Sequence, residues 1–150
     1  MRLALARLAL ILLAAACSEG EAYEFAGPVA LDGDAITAPL DGKTGDAARG
    51  LEIFVSREEG HCVLCHAIEG LDAEFQGNVG PELTGLADRL TPGEIRLRIA
   101  GAQKIWPDTL MPSYYTTEGL NRVAPEYQDA PALSAQQIED LVAYLSGLKA

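Results

Sequence analysis

Gly60-His61-Cys62-Val63-Leu64-Cys65-His66 (GHCVLCH, residues 60–66) puts two cysteines and two histidines into six consecutive positions. The whole chain of 150 residues has only three cysteines and two histidines. A cluster like this can hold a zinc ion, close a redox disulfide or attach a haem. The choice among the three decides how the rest of the chain is read.

A structural zinc ion takes four ligands, typically from two separated pairs. No second Cys/His pair exists here, so one short turn would have to supply all four. A thioredoxin-like dithiol sits beside a βαβ pattern, and no run in this chain alternates as a strand. Cys-x-x-Cys-His is the attachment signature of c-type haem. Its two thiols lie one helical turn apart and reach the vinyl groups on one porphyrin edge. The next residue then turns its imidazole to the iron. On this reading Cys62 and Cys65 bind one covalent haem c and His66 is the proximal iron ligand. His61 is left as a surface residue or a neighbour of the haem edge.

The second axial ligand follows by elimination. Once Met1 leaves with an export signal, the only methionine is Met111, in Thr-Leu-Met-Pro-Ser-Tyr-Tyr, 45 residues after His66. Methionine is usually a core filler, but a haem needs a sixth ligand and the only rival is His61. A thioether is a soft, neutral donor, and His/Met ligation raises the reduction potential. With His66 and Met111 both bound, the iron has no open position for substrate, so the haem moves single electrons. Tyr114 and Tyr115 follow Met111 closely enough to be expected at the same haem edge.

Residues 1–16 read as an export signal. Arg2 and Arg7 form a positive start, Leu8 to Leu13 a short apolar run, and Ala14-Ala15-Ala16 a small-residue cleavage site. The apolar run is far below the roughly 18–20 residues that span a bilayer. Cys17 follows directly, in a Leu-Ala-Ala-Ala-Cys context that resembles a lipobox with its leucine one position early. Two outcomes stay open: lipidation of Cys17, which would tether the chain to a membrane, or simple cleavage after Ala16. Export to the periplasm suits the haem reading, because haem is attached outside the cytoplasm. Loss of 1–16 takes the formal charge from −11 to −13. Such a chain is a poor partner for nucleic acid or anionic headgroups and a fair one for basic protein surfaces.

The remaining 134 residues suffice for one domain with a real core. Residues 17–45 are rich in Gly, Pro and Asp and read as an extended tether, partly packed on the domain surface. Residues 46–150 form the domain. Positions 46–57 carry Gly50, Leu51 and Phe54 on one apolar face. Thr91-Pro92-Gly93-Glu94 and Ser134-Ala135-Gln136-Gln137 are capping boxes that open two further helices. The second continues with helical spacing through Ile138, Leu141, Val142 and Leu145. The fold is therefore expected to be all-α. Residues 67–90 and 104–133 are long loops, too apolar for disorder, and loops of that length need an organiser. A large flat apolar cofactor is one.

At this point a resemblance emerges. Gly50, Phe54, Cys62-Cys65-His66, Gly80-Pro81-x-Leu83, Met111-Pro112 and Leu141-x-x-Tyr144 resemble a class I cytochrome c. The resemblance implies that the first and last helices cross at a glycine, pairing Gly50 with Tyr144 and Phe54 with Leu141. It also implies that the Pro81 carbonyl accepts the Nδ1 proton of His66, the kind of contact that orients a ligand. A narrower resemblance spans nearly all of the exported chain. GDAITAPLDGKTGDAARG, SREEGHCVLCH, FQGNVGPELTGLADRL, IRLRIAGAQKI, LMPSYY, GLNRVAPEYQ and LSAQQIEDLVAYLSGL are similar to the SoxX family, the monohaem subunits of the sulfur-oxidation cytochrome.

That resemblance implies a heterodimer with a SoxA subunit, which holds the reactive cysteine and couples thiosulfate to a cysteine of the SoxYZ carrier protein. The electrons would leave through the X-subunit haem to another cytochrome c. Segments 33–46 and 112–133 exceed what one haem requires and are expected to form the subunit interface. The runner-up reading is a stand-alone carrier, periplasmic or membrane-tethered, that serves a respiratory oxidase. A non-haem structural or metal-sensing lipoprotein stands only if haem is absent.

Overall fold

The computed structural model describes residues 24–150. The export segment 1–16, Cys17 and the rest of the tether up to residue 23 lie outside the described residues. Three helices carry the fold: α1 (Ala47–Val55), α2 (Pro92–Gly101) and α3 (Ala135–Leu145). Each begins where its sequence provides a cap. The Asp46 carboxylate accepts the Ala48 and Arg49 N–H groups at 2.9 and 3.2 Å. Thr91 with Glu94, and Ser134 with Gln137, form complete capping boxes that satisfy otherwise orphaned donors. Among the described residues no helix is long and apolar enough to cross a membrane.

The first and last helices pack against each other. At the crossing, a Cβ on Gly50 would collide with the Asp140 carbonyl and press on the Tyr144 side chain. The expected pairing of Gly50 with Tyr144 is therefore present, and only glycine permits it. Phe54, fully buried, meets the Tyr144 ring at 5.8 Å between centroids with the planes tilted by 55°, a favourable aromatic geometry. Leu141 is also fully buried and shares with Phe54 the wall of the same cleft.

Described residues 24–45 pack into this core, with Ile36 and Leu40 buried. They include a small antiparallel hairpin, β1 (Leu31–Asp32) and β2 (Ala35–Ile36), with Gly33 at φ 58° in its turn. The all-α expectation had no place for it, because two residues per strand cannot display alternation. Arg96 on α2 secures the segment from inside. Its guanidinium grips Glu139 with Nε and Nη2 at 2.7 and 2.8 Å and donates to the Ile36 carbonyl at 2.7 Å. Glu139 also accepts the Leu40 N–H at 2.9 Å. Further along, residues 112–133 hydrogen-bond back to α2 through the Tyr114 and Tyr115 N–H groups, Leu133 N–H closes the segment onto the Tyr114 carbonyl, and Phe25 bridges to Thr116.

Candidate haem centre

The GHCVLCH stretch leaves α1 and enters a tight turn. His61 takes the left-handed conformation at φ 56°, and Cys62–Leu64 form one 3₁₀ turn closed by Cys65 N–H to the Cys62 carbonyl. The His66 N–H reaches the same carbonyl at 2.9 Å, so all four polar residues of the stretch occupy one turn. Cys62 and Cys65 are not disulfide-bonded. No group of three or more His, Cys, Asp or Glu side chains converges on a metal position among the described residues. Burial pushes the Cys62 thiol up to about 12, whereas reactive dithiols run low.

His66 projects from this turn and is held from behind. Its Nδ1–H donates to the Pro81 carbonyl at 2.7 Å. A carbonyl can only accept, so the bond fixes the tautomer and leaves Nε2 with a free lone pair. The loop bearing Pro81 is itself tied down by Gly80 N–H to the Cys65 carbonyl and Leu83 N–H to the Ala67 carbonyl, at 2.8 and 2.9 Å. A Cβ on Gly80 would overlap the His66 ring. Glycine there allows the loop to lie flat against the imidazole.

A cleft of about 650 Å³ opens in front of His66. Its inner wall is Phe54, Leu141 and Leu145 from α1 and α3, with both cysteines at one side and Met111 on the loop after α2. His66 and Met111, far apart in sequence, thus line one cavity. Met111 is placed by its backbone: its carbonyl accepts from Gln103 Nε2 at 2.9 Å and its N–H donates to Thr109 Oγ1 at 3.2 Å. Ser113 Oγ closes the loop onto the same Gln103. His61 also borders the cleft.

Tyr114 borders it too, with its hydroxyl donating to the Gly60 carbonyl at 2.7 Å, and burial raises its pKa. Tyr115 does not. It is buried on the other side of the strand-like segment, where its hydroxyl lies by Gly27 and Asp41. Successive residues of an extended backbone point to opposite faces, and Tyr114 and Tyr115 bond in succession to the Ile99 and Ala100 carbonyls. Two arginines at the cleft carried no motif. Arg98 stacks on Trp106 at 5.2 Å and is braced by Asp34 of the hairpin turn at 3.0 Å, and Arg89 is bound to the Glu82 and Thr84 carbonyls.

The rim has large apolar groups facing outward. Val79 is 67% exposed, Leu110 85% and Trp106 48%, and all three border the cleft. This apolar cavity is lined by one methionine, two cysteines, two arginines and two histidines, of which His66 is oriented by its bond to the Pro81 carbonyl. That donor set matches a flat amphiphilic macrocycle with a central metal and two carboxylates.

Comparison with known proteins agrees with this geometry. The cytochrome c family model matches residues 47–149. Curated protein sequences include no match. Among solved structures, a chain of the crystal structure of SoxXA from P. pantotrophus is 35% identical with a TM-score of 0.76. The match covers 85% of this chain and 99% of that one. The chain belongs to the cytochrome c family as a SoxX-type cytochrome, and its cofactor is covalently bound haem c.

Proposed function

We propose that this chain is the electron outlet of a SoxAX-type L-cysteine S-thiosulfotransferase. It pairs with a SoxA subunit and accepts the electrons released when thiosulfate is coupled to a SoxYZ cysteine. It then passes them to another cytochrome c. The observation that carries the reading is the 35% identity to a SoxXA chain over 99% of that chain's length.

In this reading Cys62 and Cys65 would attach the haem covalently, and His66 Nε2 and Met111 Sδ would hold its iron. Bound haem c supplies one-electron chemistry at an iron whose soft thioether ligand favours the reduced state. The chain's residues do the rest. Pro81 holds the His66 proton on Nδ1 and so keeps Nε2 basic and aimed. Gln103 and Thr109 fix the Met111 backbone. Arg98 and Arg89 are the cations at the cleft for the haem carboxylates. Phe54, Leu141 and Leu145 exclude water from the inner face. No substrate-binding group is needed here, because the reacting cysteine belongs to the partner.

Segments 33–46 and 112–133 are the proposed subunit interface, and the exposed Leu31, Leu120 and Tyr127 fall on or beside them. The chain is assigned to the periplasm, through 1–16 as signal, with Cys17 as the lipidation point. The mass of the mature N-terminus checks this: a mass corresponding to an unmodified Cys17 would remove the tether. Co-expression with a SoxA subunit tests the main reading. It should give a one-to-one complex by size-exclusion chromatography whose haem is reduced by thiosulfate only when SoxYZ is present. A monomer that binds no SoxA but donates freely to an oxidase would instead be a stand-alone carrier.

A further inference from the structure

The cleft accounts for Trp106 and Leu110 and the proposed subunit interface for Leu31, Leu120 and Tyr127. Three large exposed apolar side chains remain: Phe75, 84% exposed, Leu64, 38% exposed, and Val79, which stands at the rim of the cleft. Leu64 sits between the two attachment cysteines. Phe75 occupies a left-handed backbone at φ 56°, a conformation that is strained for a bulky residue.

The loop that presents Phe75 is fastened on both sides. Arg57 Nη2 donates to the Glu74 carbonyl at 2.8 Å. Gln76 accepts the Ile68 N–H at 2.7 Å and donates to the Leu71 carbonyl at 3.2 Å. Gly77 N–H reaches the Val63 carbonyl at 2.9 Å, and a Cβ on Gly77 would run into the Leu64 carbonyl. The loop therefore lies directly on the attachment turn and turns Phe75 outward from it. Leu64, Phe75 and Val79 are all exposed, and Gly77 N–H to the Val63 carbonyl and Gly80 N–H to the Cys65 carbonyl hold the loop that carries Phe75 and Val79 against the turn that carries Leu64, beside the rim of the cleft.

The surroundings are acidic. Glu58, Glu59, Glu69, Asp72 and Glu74 are all exposed and flank these three residues in sequence or through the hydrogen bonds just given. Arg57 is the one Lys or Arg among residues 57–79, against these five carboxylates, and it donates to the Glu74 main-chain carbonyl. A second copy of this chain would bring the same carboxylates into apposition, which costs energy. A basic partner would be steered in.

From this we infer that the Leu64–Phe75–Val79 ridge is the docking face for a basic one-electron redox protein, with Phe75 as its apolar anchor. The inference rests on the electron-outlet reading and names where the electron leaves. One electron passes to the partner's metal centre, this chain is oxidised by one unit and the partner reduced by one, and no bond or proton changes place.

The probe is mitochondrial cytochrome c, a basic haem protein, mixed in stopped flow with the reduced, full-length holo-chain in complex with SoxA. Phe75→Ser should lower the second-order rate about tenfold. Phe75→Lys, which adds a like charge for the partner, should lower it further. Glu58→Gln with Glu59→Gln and Glu74→Gln should slow the reaction at low salt and flatten its salt dependence. Haem content and the rate with ferricyanide, a small anion that needs no docking face, should stay unchanged in the Phe75 variants. A haem-free wild type would instead sink the electron-outlet reading itself. Unchanged rates in both Phe75 variants would overturn the docking face. So would loss of SoxA assembly on Phe75→Ser, since the ridge would then be the subunit interface.

Discussion

The two walls of the cleft are built on different terms. On the helical side, α1, α3 and residues 24–45 satisfy one another. Gly50 admits the Asp140 backbone, Arg96 is held by Glu139 and the Ile36 carbonyl, and Ile138 and Leu141 are fully buried. On the loop side, at residues 74–90 and 102–114, the backbone is well fastened but Val79, Leu110 and Trp106 face outward. One wall is completed by protein and the other needs the haem's apolar face. Bound haem would therefore complete the hydrophobic core on the side of the long loops, whose backbones the protein itself fastens. Damage to the two walls should have different readouts.

The largest effect is expected from removing the attachment itself. Cys62→Ala with Cys65→Ala deletes both thioether bonds, so haem staining on denaturing gels should vanish. The loop wall should lose protease resistance well before the helical wall does. If the double variant stained as strongly as the parent, the attachment assignment would fail.

Next in size is a break in the helical wall. Glu139→Ala leaves the Arg96 guanidinium buried with only the Ile36 carbonyl, and breaking such a pair typically costs about 3–5 kcal/mol. Denaturant unfolding of the holo-chain should show that loss with little change in the visible spectrum. Glu139→Gln, which keeps the shape and some hydrogen bonds, should lose less.

This contrast also shows what the sequence could reveal. Both capping boxes were legible because a cap is a local signal whose donors and acceptors lie within three residues, whereas α1 was legible from its apolar face and not from its Asp46 cap. That Cys62, Cys65, His66 and Met111 would line one cleft was legible because motif spacing and a single remaining methionine left few alternatives. Arg96 and Glu139 were not. They are charged residues on two helices, and nothing in either helix announces that a partner 43 positions away buries them. Gln103 and Thr109, which place Met111, have ordinary side chains in an irregular loop. Arg98 and Trp106 meet only because the chain folds back after α2. A lone tryptophan near an arginine is a weak signal at best. Tyr115 was misplaced for a local reason: an extended segment sends neighbours to opposite faces, and the sequence showed only that it followed Tyr114.

A smaller effect, confined to the loop wall, is expected at Met111. Met111→Ala removes the thioether while Gln103 and Thr109 still hold the backbone, since both bonds are to main-chain atoms. The sulfur-to-iron charge-transfer band in the far red should disappear, the potential should fall, and small ligands such as cyanide should bind rapidly. The stability cost should be about 2 kcal/mol, the low end for a methionine truncation, because the site is only half-buried. Persistence of the band would hand the ligand role to another group, with His61 the first candidate because it borders the same cleft.

The smallest effect lies in the helical wall and appears only in acid. Burial alone would push the Asp140 carboxyl up, but Arg49 at 2.9 and 3.0 Å, the Asp46 N–H at 2.7 Å and the Gln136 amide at 2.9 Å together hold it below its usual range. A folded value below the unfolded one, about 3.9, means the ionised carboxylate stabilises the fold at every pH above that. The contribution fades as pH falls through the folded value. Asp140→Asn should thus be less stable than the parent at neutral pH, and the two should converge below about pH 4. Haem absorbance should be the same in both until unfolding begins, because Asp140 is tied to Arg49 and the start of α1, not to the cleft. Many other carboxylates titrate over the same range, so the measurement is the difference between the two curves, from denaturant unfolding at a series of pH values. A constant gap down to pH 2 would show that the Asp140 contacts are not charge-dependent and would leave the α1–α3 crossing resting on Gly50 and the Phe54–Tyr144 pair.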